Sequence, residues 1–151
     1  MAMLKDKVVI VTGSGRGIGR DIAMMMAAHG AKVVVNDPGV SATGEGKDEG
    51  PAAQVVEEIR KAGGTAVANT DSVAEWESAN RIVKTAVDAF GTVHAVVNNA
   101  GILRDRIFHN MSVEEWKAVI DVHLNGSFYM AKAVAAIFKS EERGALSLIH
   151  I

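Results

Sequence analysis

Apolar positions along this chain fall into two rhythms. Four short runs are continuously apolar or nearly so: Val8-Val9-Ile10-Val11, Val33-Val34-Val35, Thr65-Ala66-Val67-Ala68 and Val93-His94-Ala95-Val96-Val97. They are too short for helices and mostly rich in β-branched residues, which suits strands of a parallel sheet covered on both faces. Between them the apolar residues recur at helical spacing. Ile18, Ile22, Met25 and Met26 form one stripe expected to face the sheet, with the three methionines at 24–26 as core filler. Val55, Val56 and Ile59 form a second, and a third helix runs to Phe90. A fourth pattern runs through Trp116, Val119 and Ile120 towards Leu124, Phe128 and Ala131, and the last helix carries Met130, Val134 and Ile137. Strand and helix alternate throughout, which predicts an α/β fold with a doubly wound parallel sheet, right-handed crossovers and the strand order 3-2-1-4, followed by a partial fifth strand.

Punctuation residues set the expected ends of these elements. Gly30 follows His29 where a left-handed helix cap is common, and Gly63-Gly64 closes the second helix. Pro38 to Gly50 reads as loop, with Pro51 in the first turn of the helix that follows. Ser72 with Glu75, and Ser112 with Glu115, each read as a Ser-x-x-Glu capping box. Asn125-Gly126 predicts a break between two helices or a bend in one.

The chemistry concentrates in Thr12-Gly13-Ser14-Gly15-Arg16-Gly17-Ile18-Gly19, between the first strand and the first helix. Such a turn gathers backbone N–H groups at a helix N-terminus, where unpaired donors and the helix dipole favour a phosphate. The spacing Gly-x3-Gly-x-Gly differs from the usual dinucleotide fingerprint, and a turn needed only for strand–helix packing is the plainer reading. Asp37 stands 18 residues after Gly19, at the end of the second strand. A carboxylate there can accept hydrogen bonds from the adenosine ribose hydroxyls and repel a 2′-phosphate; alternatively, Asn36 and Asp37 only begin the turn continued by Pro38-Gly39. The first reading predicts a Rossmann-type unit that prefers NAD, with NADP disfavoured although Arg16 pulls towards it. Asp71 ends the third strand, either near the adenine amine or as a helix-start carboxylate. Asn98-Asn99-Ala100-Gly101 ends the fourth, at the edge where open α/β sheets bind ligands.

Composition narrows the function. A length of 151 residues suits about one domain, and a net charge of −2 without any basic stripe argues against nucleic-acid or anionic-membrane partners. The chain has no cysteine, which excludes disulfides, thiolate metal sites and cysteine nucleophiles. No metal site is expected, no run reaches membrane-spanning length, and the few residues before Val8 leave no room for a signal peptide, so a cytoplasmic protein is expected.

Together, Thr12-Gly-x3-Gly-Ile-Gly19, Asp37 and Asn98-Asn-Ala-Gly101 resemble the short-chain dehydrogenase/reductase family from about Lys7 to Ala145. Val35-Asn-Asp-Pro-Gly39, Gly101-Ile-Leu-Arg-Asp-Arg106 and Val122-His-Leu-Asn-Gly-Ser-Phe128 are similar, more narrowly, to the 3-hydroxyacyl-CoA dehydrogenase domain of peroxisomal multifunctional enzyme type 2 and its bacterial relatives. The resemblance implies that Gly13, Arg16, Gly17, Ile18 and Gly19 line the pyrophosphate. It puts Asp37 on the adenosine ribose, Asp71 and Ser72 beside the adenine, and Asn98, Ala100 and Gly101 along the cofactor. It also implies NAD as cofactor, hydride exchange between a secondary alcohol and a ketone, a small-molecule substrate such as an acyl-CoA thioester, and a homodimeric or tetrameric parent. A non-catalytic nucleotide-binding or interaction module is the alternative.

Two departures matter. His123 stands where most members carry a catalytic asparagine, which leaves its role open. The family's serine and Tyr-x-x-x-Lys are missing: Tyr129 is the sole tyrosine and Lys132 follows at the wrong spacing. A fragment of the catalytic domain without turnover is expected. The last six residues, Leu146-Ser-Leu-Ile-His-Ile151, match one frame of a transposon-end adapter, so 1–145 is expected to be the truncated NAD(P)-binding domain and 146–151 a non-native tail.

Overall fold

A computed structural model describes residues 2–39 and 50–140, together with the backbone of 145–148. Five parallel strands form one sheet: β1 (Val8–Thr12), β2 (Lys32–Asn36), β3 (Thr65–Asn69), β4 (Ala95–Asn98) and β5 (Ala145–Leu148). Their order is β3-β2-β1-β4-β5, so the first four strands lie as the alternation predicts. The order reverses at β1: β2 lies on one side of it and β4 on the other, and the chain's ligand-binding crevice is expected there. β5 pairs with β4 from Ala145 opposite Ala95 to Leu148 opposite Asn98, so part of the terminal hexapeptide runs in the sheet.

Helices cover both faces. α1 (Gly17–Ala28) and α2 (Gly50–Lys61) lie on one side, where Ala23, Ala27, Val55, Val56 and Ile59 pack on Val9, Val11, Val33 and Val35. On the other side α3 (Trp76–Phe90) and α5 (Gly126–Ser140) place Ala79, Ile82, Val83, Met130 and Val134 on Val8, Ile10, Val34 and Val96. Nearly every β1 and β2 side chain is buried, as both-face coverage demands. Arg20 and Glu58 pair across α1 and α2. A short α4 (Val113–Ile120) precedes a single π-turn, Asp121–Asn125, that runs straight into α5.

Two expectations need correction. The sheet face of α1 is formed by Gly19, Ala23 and Ala27, with Ile22, Met24 and Met26 flanking it, whereas Ile18 and Met25 are exposed. Small residues let the helix backbone approach the sheet closely, and the larger apolar side chains are displaced to the margins. Ser72 and Glu75 form no capping box. Ser72 Oγ instead accepts from the Ala74 N–H at 3.1 Å, Glu75 accepts from Ser78 Oγ at 3.2 Å, and α3 starts only at Trp76. At Asn125-Gly126, where the sequence predicts a break or a bend, the π-turn ends and α5 begins within one continuous helical path. Trp116, Leu124 and Phe128 are more than half exposed and leave the core to Met130 and Val134. Most of the Pro38–Gly50 loop, and the Arg143-Gly144 approach to β5, lie outside the described residues.

The second capping box does form. Ser112 Oγ accepts from the Glu115 N–H at 3.0 Å while the Glu115 carboxylate accepts from the Ser112 N–H at 2.9 Å. That N–H, and next the Arg106 guanidinium at 2.9 Å, hold the Glu115 carboxyl below its ordinary range. A depressed folded-state value contributes stability that is full above the ordinary glutamate range, about pH 4.3, and lost as pH falls through the lower folded value. Ser112→Ala is expected to lower stability by about 1 kcal/mol and to keep that acid limb, because alanine retains the N–H that Glu115 accepts from, whereas Glu115→Gln is expected to flatten it; thermal melts between neutral pH and pH 3 would show both.

Candidate functional site

β1 ends in a loop that folds back over its own strand. Ser14 N–H donates to the Asn36 carbonyl at 2.9 Å, and Ser14 Oγ donates to the Val11 carbonyl at 2.7 Å. Gly13 adopts φ of 62°, and a Cβ there would lie 2.7 Å from the Ala100 Cα. A Cβ on Gly19 would lie 2.2 Å from the Gly13 carbonyl oxygen, so α1 sits directly against the loop. Gly17 is different: its φ is 52°, and a Cβ would meet nothing within 4 Å. Its backbone faces open space, in a conformation that side chains disfavour. The first-turn amides of α1 have no carbonyl one turn earlier in the helix, Arg16 caps it with no side-chain bond, and its first turn carries no acidic residue. Such an end accommodates a phosphate.

A cleft of about 670 Å³ opens beside this loop, in the size range of small-molecule and cofactor sites. Gly13, Arg16, Gly17, Ile18, Gly19, Asp37, Ser72, Ala100, Gly101 and His123 all line it. The structure therefore brings together ten positions that the sequence singles out. Asp37 anchors its near end: one carboxylate oxygen accepts from the Gly15 N–H at 2.9 Å and the other from the Gly39 N–H at 2.8 Å. The loop and the end of β2 are tied through that carboxylate.

Asp71 and Asn98 are absent from the lining. Both Asp71 oxygens are engaged, one by Arg81 at 2.7 Å and the other by Asn69 Nδ2 at 3.0 Å. These partners hold Asp71 between the end of β3 and α3. Asn98 is buried and its amide points to the Ser127 carbonyl at 3.4 Å, so it braces β4 against α5.

Asn99 and Thr12, given no separate role by the sequence, tie the loop to the end of β4. Asn99 lines the cleft, and its Nδ2 donates to the Thr12 and Gly13 carbonyls at 3.0 Å each. Thr12 Oγ1, almost fully buried, donates to the Val97 carbonyl at 3.3 Å and accepts from the Asn99 and Ala100 N–H groups at 3.1 Å each. The double Asn-Asn was the available signal. Which of two adjacent amides faces the loop depends on strand phase, since successive side chains point to opposite faces. Thr12→Val keeps the shape but leaves the Ala100 N–H without its acceptor, so it is expected to cost about 1–3 kcal/mol, read as a lower melting temperature.

His123 lies in the π-turn at the far end of the cleft. Its Nε2 is 3.1 Å from the Ile102 nitrogen, whose N–H points at it, and the ring packs against Gly101, where a Cβ would be 2.8 Å from Cε1. The same Nε2 is 3.0 Å from the Ile102 carbonyl oxygen, so the ring accepts from the Ile102 N–H in one tautomer and donates to the Ile102 carbonyl in the other. Tyr129 lies edge-on to Trp76 with ring centroids 6.0 Å apart. Among the described residues no cluster of His, Cys, Asp and Glu could hold a metal ion, and no helix is long and apolar enough to cross a membrane.

The short chain dehydrogenase family profile matches residues 7–149. A short-chain type dehydrogenase/reductase of Mycobacterium tuberculosis is 50% identical over 144 residues, covering 95% of this chain and 50% of that protein. Peroxisomal multifunctional enzyme type 2 of Mus musculus is 49% identical over 140 residues, covering 93% of this chain and 19% of that protein. The solved 7α-hydroxysteroid dehydrogenase in complex with NADH and 7-oxo glycochenodeoxycholic acid superposes with a TM-score of 0.88 at 28% identity, over 98% of this chain and 54% of that one. This chain thus spans about half of the length of two of these relatives and about a fifth of the third. By profile, sequence and strand order alike, the chain belongs to the short-chain dehydrogenase/reductase family of oxidoreductases, which bind a nicotinamide cofactor.

Proposed function

We propose that this chain is the cofactor-binding half of a dehydrogenase that exchanges hydride between NAD and a secondary alcohol or ketone. The observation that carries this reading is the cleft between the α1 N-terminus and Asp37. Gly17, whose Cβ would meet nothing, lets a pyrophosphate approach the first-turn amides of α1. Asp37 accepts the ribose hydroxyls and repels a 2′-phosphate, which favours NAD over NADP. Ser72 lines the adenosine end and Gly101 and His123 the other. Bound nicotinamide supplies the hydride acceptor or donor. The chain's own part is to bind, orient and shield the dinucleotide.

The favoured substrate class is a 3-hydroxyacyl or 3-oxoacyl thioester, because the stretches 35–39, 101–106 and 122–128 carry the narrower resemblance. Proton transfer in this chemistry needs a phenol beside a lysine, and Tyr129 is packed among Trp76 and Phe128 instead. The 151 residues alone therefore do not turn over, and the complete protein supplies the serine and Tyr-x-x-x-Lys. Exposed Trp116, Leu124 and Phe128 support a parent that associates into dimers or tetramers. We take 1–145 as the native domain segment and 146–151 as a tail foreign to it, which sequencing of the source DNA across codon 145 decides.

The functional test uses the complete protein that carries this sequence. With NAD and a 3-hydroxyacyl-CoA it is expected to produce NADH, whereas the 151-residue chain produces none. NADH production by the short chain, or turnover of the complete protein with NADP alone, overturns the reading.

A further inference from the structure

We propose that Asn36 is a specificity-positioning residue, whose buried amide sets the gap between Asp37 and Ser72 across which the adenosine half of the dinucleotide is held. The inference rests on the ribose reading of Asp37 given above.

Asn36 is the last residue of β2 and is 0% exposed. Its position in the sheet is opposite Asn69, the last residue of β3. Beyond this rung side chains add to the last backbone bond between the two strands. Asn36 Nδ2 donates to Asn69 Oδ1 at 2.8 Å and to the Asp71 carbonyl at 2.8 Å. Asn69 Oδ1 also accepts from the Asp71 N–H at 2.9 Å, and Asn69 Nδ2 donates to Asp71 and to Thr85 Oγ1, each at 3.0 Å. Arg81 on α3 closes the chain of contacts on the other Asp71 oxygen. Two acceptors face Asn36 Nδ2, so the amide has one orientation that satisfies them. That orientation leaves Asn36 Oδ1 buried with no donor among the described residues. An amide that leaves an acceptor unpaired in the interior is costly to keep, and its NH2 group is what the site uses.

The consequence falls on two cleft residues. The Asp37 N–H donates to the Asn69 carbonyl at 3.0 Å, so Asp37 is seated on the residue that Asn36 holds. Ser72 directly follows Asp71, whose carbonyl Asn36 holds. On its own backbone, the Asn36 carbonyl accepts from the Ser14 N–H of the glycine loop. The buried side-chain amide thereby fixes the ribose carboxylate against the β3 exit, while the carbonyl of the same residue ties it to the glycine loop.

The experiment is a double-mutant cycle in the complete protein, with dissociation constants for NADH and NADPH measured by fluorescence titration. Asn36→Leu removes the donors at nearly constant volume, and Asn36→Ser is measured alongside in case the larger side chain prevents folding. The amide bonds two buried neutral acceptors on which Asp37 and Ser72 are seated, so the preference for NADH is expected to fall about tenfold in either variant. In an Asp37→Ala background the same substitution is expected to leave the remaining preference unchanged, because the carboxylate that it places is gone. A merely structural role lowers the melting temperature but gives equal changes in both backgrounds, or none, and either result overturns the inference. If Asp37→Ala alone leaves the preference intact, the ribose reading fails and the inference with it. A collapse with Asp37→Ala and none with the Asn36 variants overturns the inference alone.

Discussion

Gly19→Val is expected to abolish dinucleotide binding and to lower the melting temperature of the protein sharply. A Cβ at Gly19 would sit 2.2 Å from the Gly13 carbonyl oxygen, 2.4 Å from Asn99 Nδ2 and 2.9 Å from the Gly13 carbonyl carbon. None of these can swing aside as a flexible chain end would. Gly13 is pinned at positive φ between Asn99 and Ala100, and Asn99 is bonded to the two carbonyls that define the loop. α1 would have to retreat from the sheet, carrying the first-turn amides with it, and overpacking of this kind costs about 1–3 kcal/mol or more. Gly17→Ala makes the contrast. It meets no atom within 4 Å, so the fold survives with the strain of a side chain at φ of 52°, about 1–2 kcal/mol. The methyl group nonetheless occupies the space that a pyrophosphate needs. Melting curves and NADH titrations of the two variants separate them: loss of both fold and binding for Gly19→Val, loss of binding with a largely retained fold for Gly17→Ala.

The second large effect is at Asp37. Asp37→Ala in the complete protein is expected to cut kcat/KM with NAD by about 10- to 100-fold, the worth of a hydrogen bond to a charged group. NADP is expected to gain, since the 2′-phosphate would no longer meet a carboxylate and exposed Arg16 lines the same cleft. Some stability is lost as well, because the Gly15 and Gly39 N–H groups both donate to this side chain. Asp37→Asn separates the two contributions. An amide oxygen retains one acceptor for the backbone while the charge is removed, so stability recovers in part and cofactor preference does not.

How far the sequence foretold this molecule depends on the range of the interaction that decides each feature. The strands were legible because a β-branched run between two glycine turns has few alternatives in an α/β alternation. The place of Gly13, Gly17 and Gly19 along the cleft was legible because the Gly-x3-Gly-x-Gly spacing fixes their offsets in the turn between β1 and α1. Asp37 was legible for the same reason. Ser72 was misread as a helix cap because the capping box is a four-residue pattern, and the competing bond from Ser72 Oγ to Ala74 satisfies the same side chain at closer range. Ile18 and Met25 were misplaced because the close approach of α1 to the sheet favours Ala23 and Ala27 over larger apolar residues. Asp71 and the Asn98-Asn99 pair turn on partners distant in sequence: Arg81 lies 10 residues from Asp71, and Thr12 lies 87 from Asn99. Local pattern carries no information about such partners. The Asn36–Asn69 rung is of that kind too, since two ordinary asparagines become a clamp only when β2 and β3 lie side by side.

The measurement that bears most directly on the central claim is a crystal structure of the complete protein with NADH. The account predicts the pyrophosphate on the first-turn amides of α1 beside Gly17, the adenosine ribose hydroxyls on the Asp37 carboxylate, and the nicotinamide at the end of the cleft marked by Gly101 and His123. A dinucleotide bound with its ribose away from Asp37, or outside this cleft altogether, would contradict it.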